Sequence, residues 1–115
     1  MRAMLLALAL TGCAEMLPGT DARYTGRVVP ESACGTEAPA TLVVRRSRFT
    51  FTPTDGVLLI TGDVAPDGTL AGQLTTPGVD RKPFTMTLAA RIAATEVDGT
   101  YVTPRCRFRV TLSLR

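Results

Sequence analysis

The side chains that could do chemistry in this chain are three cysteines, one lysine and ten acids, with no histidine among them. Without histidine, nucleophilic sites of the Ser-His-Asp and Cys-His types are excluded, and the commonest metal ligand is missing. A serine–lysine pair would have to use Lys82, the only lysine. Paired carboxylates stay open, although Asp55, Asp67 and Asp98 each precede glycine and are better explained as turn residues. We therefore expect no enzymatic activity, no cofactor and no metal.

The segment Leu10-Thr11-Gly12-Cys13 follows an apolar run over Ala3–Leu10 and a basic start. This is the pattern of a secretory signal, and the run is too short to span a membrane, which takes about 20 residues. The segment resembles the lipobox of bacterial lipoproteins. The resemblance implies that the preceding peptide is removed and that Cys13 carries diacylglycerol and an amide-linked acyl chain such as palmitate. Because Ala14 rather than aspartate follows, it further implies the outer membrane, facing the periplasm.

The same resemblance divides the chain into a signal peptide, a lipidated tether and a single domain, over residues 1–12, 13–22 and 23–115. With Cys13 assigned to lipid, Cys34 and Cys106 remain. In an oxidising envelope two remaining cysteines most simply form a disulfide, and two free buried thiols are the alternative. Without Arg2 the chain has 12 basic and 10 acidic residues, a near-neutral balance that argues against a nucleic-acid partner.

From Tyr24 onward, apolar and polar residues alternate in short runs, and a period of two is typical of half-buried strands. Asp55-Gly56 and Asp67-Gly68 are hairpin dipeptides, while Gly99 falls inside a run and predicts a bulge. Eight strands are expected, at Tyr24–Val28, Leu42–Val44, Phe49–Phe51, Leu58–Ile60, Leu70–Leu74, Phe84–Ile92, Val97–Tyr101 and Cys106–Leu114.

Eight strands with short links predict an all-β antiparallel meander that forms a closed or nearly closed up-and-down barrel. A partly open sandwich of the same strands is the alternative. In the barrel, strand 1 neighbours strand 8, and an even strand count places Cys34 and Cys106 at the same end. Small barrels of this kind are filled by side chains or hold one small ligand. We expect a packed interior built from Leu42, Phe49, Phe51, Leu70, Leu74, Phe84, Met86, Leu88, Phe108 and Leu112.

The strand directions also place the loops. The tether leads into the start of strand 1, so the longer loops, predicted over Glu31–Ala40, Thr52–Gly56, Thr76–Pro83 and Thr103–Arg105, lie at the far end from the lipid. Loops carry most binding function. Any recognition surface is therefore expected to face away from the membrane.

Charged residues near those loops are the candidate binding residues, namely Asp80, Arg81, Lys82, Arg105, Arg107 and Arg109. The last three alternate along strand 8 and are expected on its outer face, where arginine could contact the phosphates and carboxylates of lipids or cell wall. A solvated barrel exterior that discourages misassembly is the simpler interpretation, because acids are spread among these positions as well.

We therefore expect a monomeric, non-enzymatic lipoprotein of the cell envelope, acting as a small binding or structural module. Its expected partners are the membrane, through the anchor, and an envelope protein or the cell wall. Two other functions stay open: inhibition of a secreted lysozyme or protease, and carriage of a small apolar ligand in the barrel.

Overall fold

The computed structural model describes residues 19–53, 58–78 and 81–115. Within them the chain forms eight antiparallel strands of one sheet. Seven lie on the runs predicted from alternation, whereas the fourth lies later than predicted and shares only Ile60 with the expected run. The predictions for residues 1–18, including the lipobox and Cys13, lie outside the described residues, as do Asp55-Gly56 and Asp80. The strands are β1 (Ala22–Pro30), β2 (Ala38–Arg45), β3 (Arg48–Pro53), β4 (Ile60–Asp63), β5 (Thr69–Pro77), β6 (Pro83–Ala93), β7 (Glu96–Val102) and β8 (Arg107–Leu114).

The strand order is β4-β3-β2-β1-β8-β7-β6-β5. Each strand pairs with its neighbour along the chain except β4 with β5, and β1 pairs with β8 from Tyr24↔Leu114 to Pro30↔Phe108. The ladder between the first and last strands curls the meander into a barrel, which confirms the predicted all-β, nearly closed architecture. No helix among the described residues is long and apolar enough to cross a membrane.

The barrel's seam lies between β4 and β5, where a single bridge, Val64↔Leu70, replaces a ladder. Here the two backbones press against each other. A Cβ on Gly62 would lie 2.8 Å from the Ala71 carbonyl oxygen, and one on Gly72 would lie 2.8 Å from that of Thr61. Glycine at both positions allows this approach, so the seam is closed by backbone packing beside the short bridge and the hydrogen bond from the Ala65 N–H to the Thr69 carbonyl.

Inward-facing residues of all eight strands fill the interior with one continuous apolar cluster. The predicted interior set is confirmed, with Leu74 and Phe84 only partly buried. Tyr101 lies in the cluster with its ring 5.6 Å from that of Phe51 and 5.4 Å from that of Phe108. Burial raises the pKa of the Tyr101 hydroxyl, and no charged side chain is buried in the described residues.

The predicted bulge at Gly99 is wrong. The register runs without interruption through Ala90↔Gly99 on one side and Gly99↔Val110 on the other. The glycine instead allows β6 to come close, because a Cβ there would overlap the backbone at Ala89 and Ala90.

Candidate functional site

The end of the barrel at which β1 finishes is the disulfide end. Cys34 lies in the loop between β1 and β2, and Cys106 immediately precedes β8. The two are bonded, with Cα atoms 5.4 Å apart and a separation of 72 positions in sequence. This confirms the predicted disulfide and the placement of both cysteines at one end.

The turn before β8 is held by a threonine side chain. The Thr103 hydroxyl accepts hydrogen bonds from the backbone N–H of Arg105 at 3.3 Å and of Cys106 at 3.0 Å. The Thr103 N–H in turn donates to the Cys106 carbonyl at 2.8 Å. Because this turn extends to Cys106, β8 begins at Arg107. Arg105 therefore lies in the turn, and its predicted place on the outer face of the strand is wrong.

The turn between β5 and β6 is tighter than predicted, since the strands pair as far as Pro77↔Pro83. The Gly78 N–H donates to the Lys82 carbonyl at 2.9 Å, and the Arg81 N–H donates to the Gly78 carbonyl at 3.0 Å. Arg81 has a φ of 70°. The loop is reduced to five positions, with Gly78 and Lys82 joined across its base.

These two turns enclose a partly open pocket of about 650 Å³, here called the rim pocket. Its wall is mostly apolar and carries two cations, and none of its described residues is acidic. The lining residues are Gly78, Lys82, Pro83, Phe84, Met86, Thr103, Pro104 and Arg105. A volume of this size is within the range of about 300–1,000 Å³ that small-molecule sites occupy.

The floor of the rim pocket is the upper layer of the barrel core. Met86 is 3% exposed, and its sulfur accepts a hydrogen bond from the Tyr101 hydroxyl at 3.2 Å. Phe84 is partly buried against the same cluster. The floor is thus fixed from below by a packed aromatic group, so an apolar ligand part would meet a formed surface.

The structure separates the predicted binding residues. Lys82 and Arg105 both line the rim pocket. Arg81 lies in the same turn as Lys82 but does not line the pocket. Arg107 pairs with Glu31 at 3.3 Å, and both Nε and Nη2 of Arg109 bond Asp98 at 3.1 Å. On the outer face, these two arginines are therefore engaged by neighbouring carboxylates.

Sequence reasoning missed the pocket's apolar residues. Phe84 and Met86 were predicted as interior positions, which they are, but they are also the first two inward positions of β6 below the rim. An inward apolar residue within a few positions of a rim loop is the sequence signal that could have identified them.

The opposite end, where β1 begins, is the proximal end. There the Arg46 N–H donates to the Asp21 carboxylate at 2.8 Å, and the Arg115 N–H donates to the Arg23 carbonyl at 2.9 Å. Gly19 lies against Ser47 of the β2–β3 turn. The chain therefore comes to the barrel at the end opposite the rim pocket.

The rim pocket can bind without covalent chemistry. Its described residues provide an apolar floor, hydrogen-bond donors and positive charge. Across the described part of the chain, no three His, Cys, Asp or Glu side chains are grouped as metal ligands would be.

The lining residues of the rim pocket are the only indication of its ligand. No protein-family model matches the chain, and neither a curated protein nor a solved structure matches it.

Proposed function

We propose that this chain is a non-enzymatic, lipid-anchored binding protein of the bacterial cell envelope that presents the rim pocket away from the membrane. One observation carries the proposal: the chain reaches the barrel at the proximal end, held there by the contact of Asp21 with Arg46, and the pocket lies at the other end. A ligand site on the far side of an anchored domain faces the periplasm.

The anchor is supported by the lipobox resemblance of Leu10 to Cys13. Each buried methylene of an acyl chain contributes about 0.8 kcal/mol, and more than one chain holds a protein stably on a bilayer. Because Gly19 already lies against the barrel, the chain from Cys13 to Gly19 can reach roughly 20 Å at most, at about 3.3 Å per residue. The domain would therefore stay within reach of its own membrane, and the pocket would sample the space next to it.

The binding role is supported by the chemistry of the rim pocket and by the composition of the chain. An apolar floor with a few polar groups is typical of ligand sites. The absence of histidine from the sequence supports a role in binding over one in catalysis. Because the interior is filled by side chains, we propose that a small ligand is held at the rim and not in the lumen.

Metabolic labelling with palmitate, followed by membrane fractionation, tests the anchor. The wild-type chain should take up label and sediment with membranes, and a Cys13→Ser variant should lose the label and be recovered as folded soluble protein. A Cys13→Ser protein that remains entirely with the membranes would contradict the proposal. Thr11→Ser, which keeps a small residue in the lipobox, is the matched control and should behave as wild type.

A further inference from the structure

We infer that the rim pocket binds an amphiphilic anion, an acyl chain carrying a carboxylate or phosphate head, with the head at Arg105 and Lys82 and the chain over Phe84 and Met86. This inference rests on the proposed function, since it names the ligand class of the same site.

The apolar floor of the rim pocket indicates that part of the ligand is apolar. Met86 and Phe84 belong to a continuous core, yet both also line the pocket beside Pro83 and Pro104. Covering such a surface with an apolar chain is favourable in proportion to the area removed from water. Phe84 supplies most of this surface, because it is only partly buried, whereas Met86 is 3% exposed and supports the floor.

The positive charge of Arg105 in the pocket wall indicates that the ligand also carries an anionic group. Four arginines of the described residues, Arg27, Arg48, Arg107 and Arg109, form ion pairs with carboxylates. Arg105 and six other described arginines are in none of these pairs, and Arg105 is the one of these seven that lies in the pocket wall. Guanidinium matches the planar geometry of carboxylate and phosphate oxygens. Lys82 has another interaction in the structure, so Arg105 carries more of the inference.

The position of Arg105 is fixed on both sides. Its own N–H is bonded to the Thr103 hydroxyl, and the next residue, Cys106, is covalently joined to Cys34. The backbone from which the guanidinium extends is therefore already ordered, which removes the backbone part of the ordering cost of binding. The disulfide therefore serves the site as well as the fold.

Isothermal titration calorimetry of the Cys13→Ser chain tests the inference with dodecanoate, dodecyl phosphate, dodecanol and inorganic phosphate. The two anions are kept below their micelle concentrations and dodecanol below its solubility limit. At least one dodecyl anion should bind with one molecule per chain. The uncharged alcohol and free phosphate should each bind at least about tenfold more weakly, because each lacks half of the recognised chemistry. The tighter of the two dodecyl anions identifies the head group as carboxylate or phosphate.

Arg105→Gln should weaken binding of the tighter anion about tenfold, the loss expected for a charge-assisted hydrogen bond. Arg109→Gln, on the outer face, is the matched control and should leave the affinity unchanged. Phe84→Ala should weaken binding of the dodecyl anion and leave the weak binding of free phosphate unchanged. A thermal melt of each variant verifies that it is folded.

Failure of both dodecyl anions to bind would overturn the inference. It would also be overturned if dodecanol bound as tightly as the tighter anion, or if the Arg105→Gln variant bound that anion with unchanged affinity. Such a failure would not affect the proposal of a lipid-anchored binding protein, because the labelling of Cys13 is measured independently. The protein would then bind another ligand. Loss of the anchor with intact dodecyl binding would instead overturn the envelope assignment alone.

Discussion

The two ends of the barrel are built differently. At the proximal end the turns are short and are joined to one another by main-chain hydrogen bonds, from Val64 to Ser47, from Ile92 to Gly68 and from Leu114 to Thr95. At the disulfide end, the loop that carries Cys34 is exposed over residues 31–37, and a covalent bond joins it to the start of β8.

This difference indicates where a binding site can form. Turns that bond each other use their donors and acceptors and leave little surface for a ligand. At the disulfide end, the Cys34–Cys106 bond fixes two loops together with the hydrogen bond from the Glu31 N–H to the Arg107 carbonyl and the Arg107–Glu31 ion pair. Among the described residues, the rim pocket therefore lies at the end with fewer main-chain hydrogen bonds from its turns to neighbouring segments, and Thr103 is its local support.

The largest effect is expected at the disulfide. Replacing Cys34 and Cys106 together with serine releases a loop constraint spanning 72 positions, which the chain-entropy model values at about 4 kcal/mol. Urea unfolding of the double variant should show a loss of this order. Reducing the wild-type protein with dithiothreitol is the control that needs no substitution. A loss under about 1 kcal/mol by both routes would contradict the assigned role of the disulfide.

At the proximal end, the largest effect is expected at Gly68, which has a φ of 92° and whose added Cβ would overlap the Ile92 carbonyl. Gly68→Ala should lower the free energy of unfolding by about 1–3 kcal/mol, measured by urea unfolding. Ala94 at the same end has a φ of 56°, so Ala94→Gly is the matched control and should be neutral or slightly stabilising. Equal losses in both variants would show that the turn backbone is not what fixes this end.

Ion pairs should matter less at either end. The Arg48–Asp63 pair at the proximal end is 2.8 Å long with side chains 60% and 80% exposed, so its solvent-screened worth is about 0–1 kcal/mol. A double-mutant cycle with Arg48→Ala and Asp63→Ala measures it. The same cycle on the Arg107–Glu31 pair gives the comparison at the disulfide end. A coupling free energy well above this range at one end only would show that ion pairs contribute to the difference between the two ends.

The smallest effect is expected from protonating Asp67 in the β4–β5 turn. The backbone N–H of Thr69 donates to this carboxylate at 2.9 Å, and this bond, helped by the Thr69 side chain, holds the Asp67 pKa below its ordinary value. The carboxylate therefore contributes stability above the ordinary aspartate pKa, and this contribution is lost as the pH falls through the lowered value.

An NMR titration of the Asp67 carboxyl should show the lowered midpoint, with the Thr69 amide shift following it. Thr69→Val keeps the backbone donor and should return the midpoint only partway. A midpoint at the ordinary value in the wild type would mean that this turn is not held as described.

Seven strands could be predicted because alternation persists through their runs, and the disulfide because assigning Cys13 to lipid left two cysteines. The fourth strand was misplaced because Leu58, Leu59 and Ile60 are all apolar and do not alternate. The turn at Arg46 and Ser47 shows the limit. Both residues have positive φ, 53° and 62°, the conformation that two-residue hairpins require and that sequence usually marks with Asn-Gly. Here the pairing of Arg45 with Arg48 imposes the turn on residues that do not prefer it.

The seam and the rim pocket could not be predicted for a related reason. Gly62 and Gly72 are ordinary strand glycines in the sequence, and only the curl of the sheet brings their backbones together. Likewise Lys82 and Arg105 were both candidates, but their meeting depends on the distance between two loops that are far apart in the chain. Alternation fixes which face a residue takes, whereas such distances depend on how the barrel curls.

The pairing of β1 with β8 has a consequence for the timing of folding. It joins residues as distant in sequence as Tyr24 and Leu114, and contacts between such distant positions form late because a long loop must first be closed. The barrel cannot close until the eight residues of β8 are available. For a chain exported as proposed, this order keeps the domain open during passage and defers closure until the last strand has crossed.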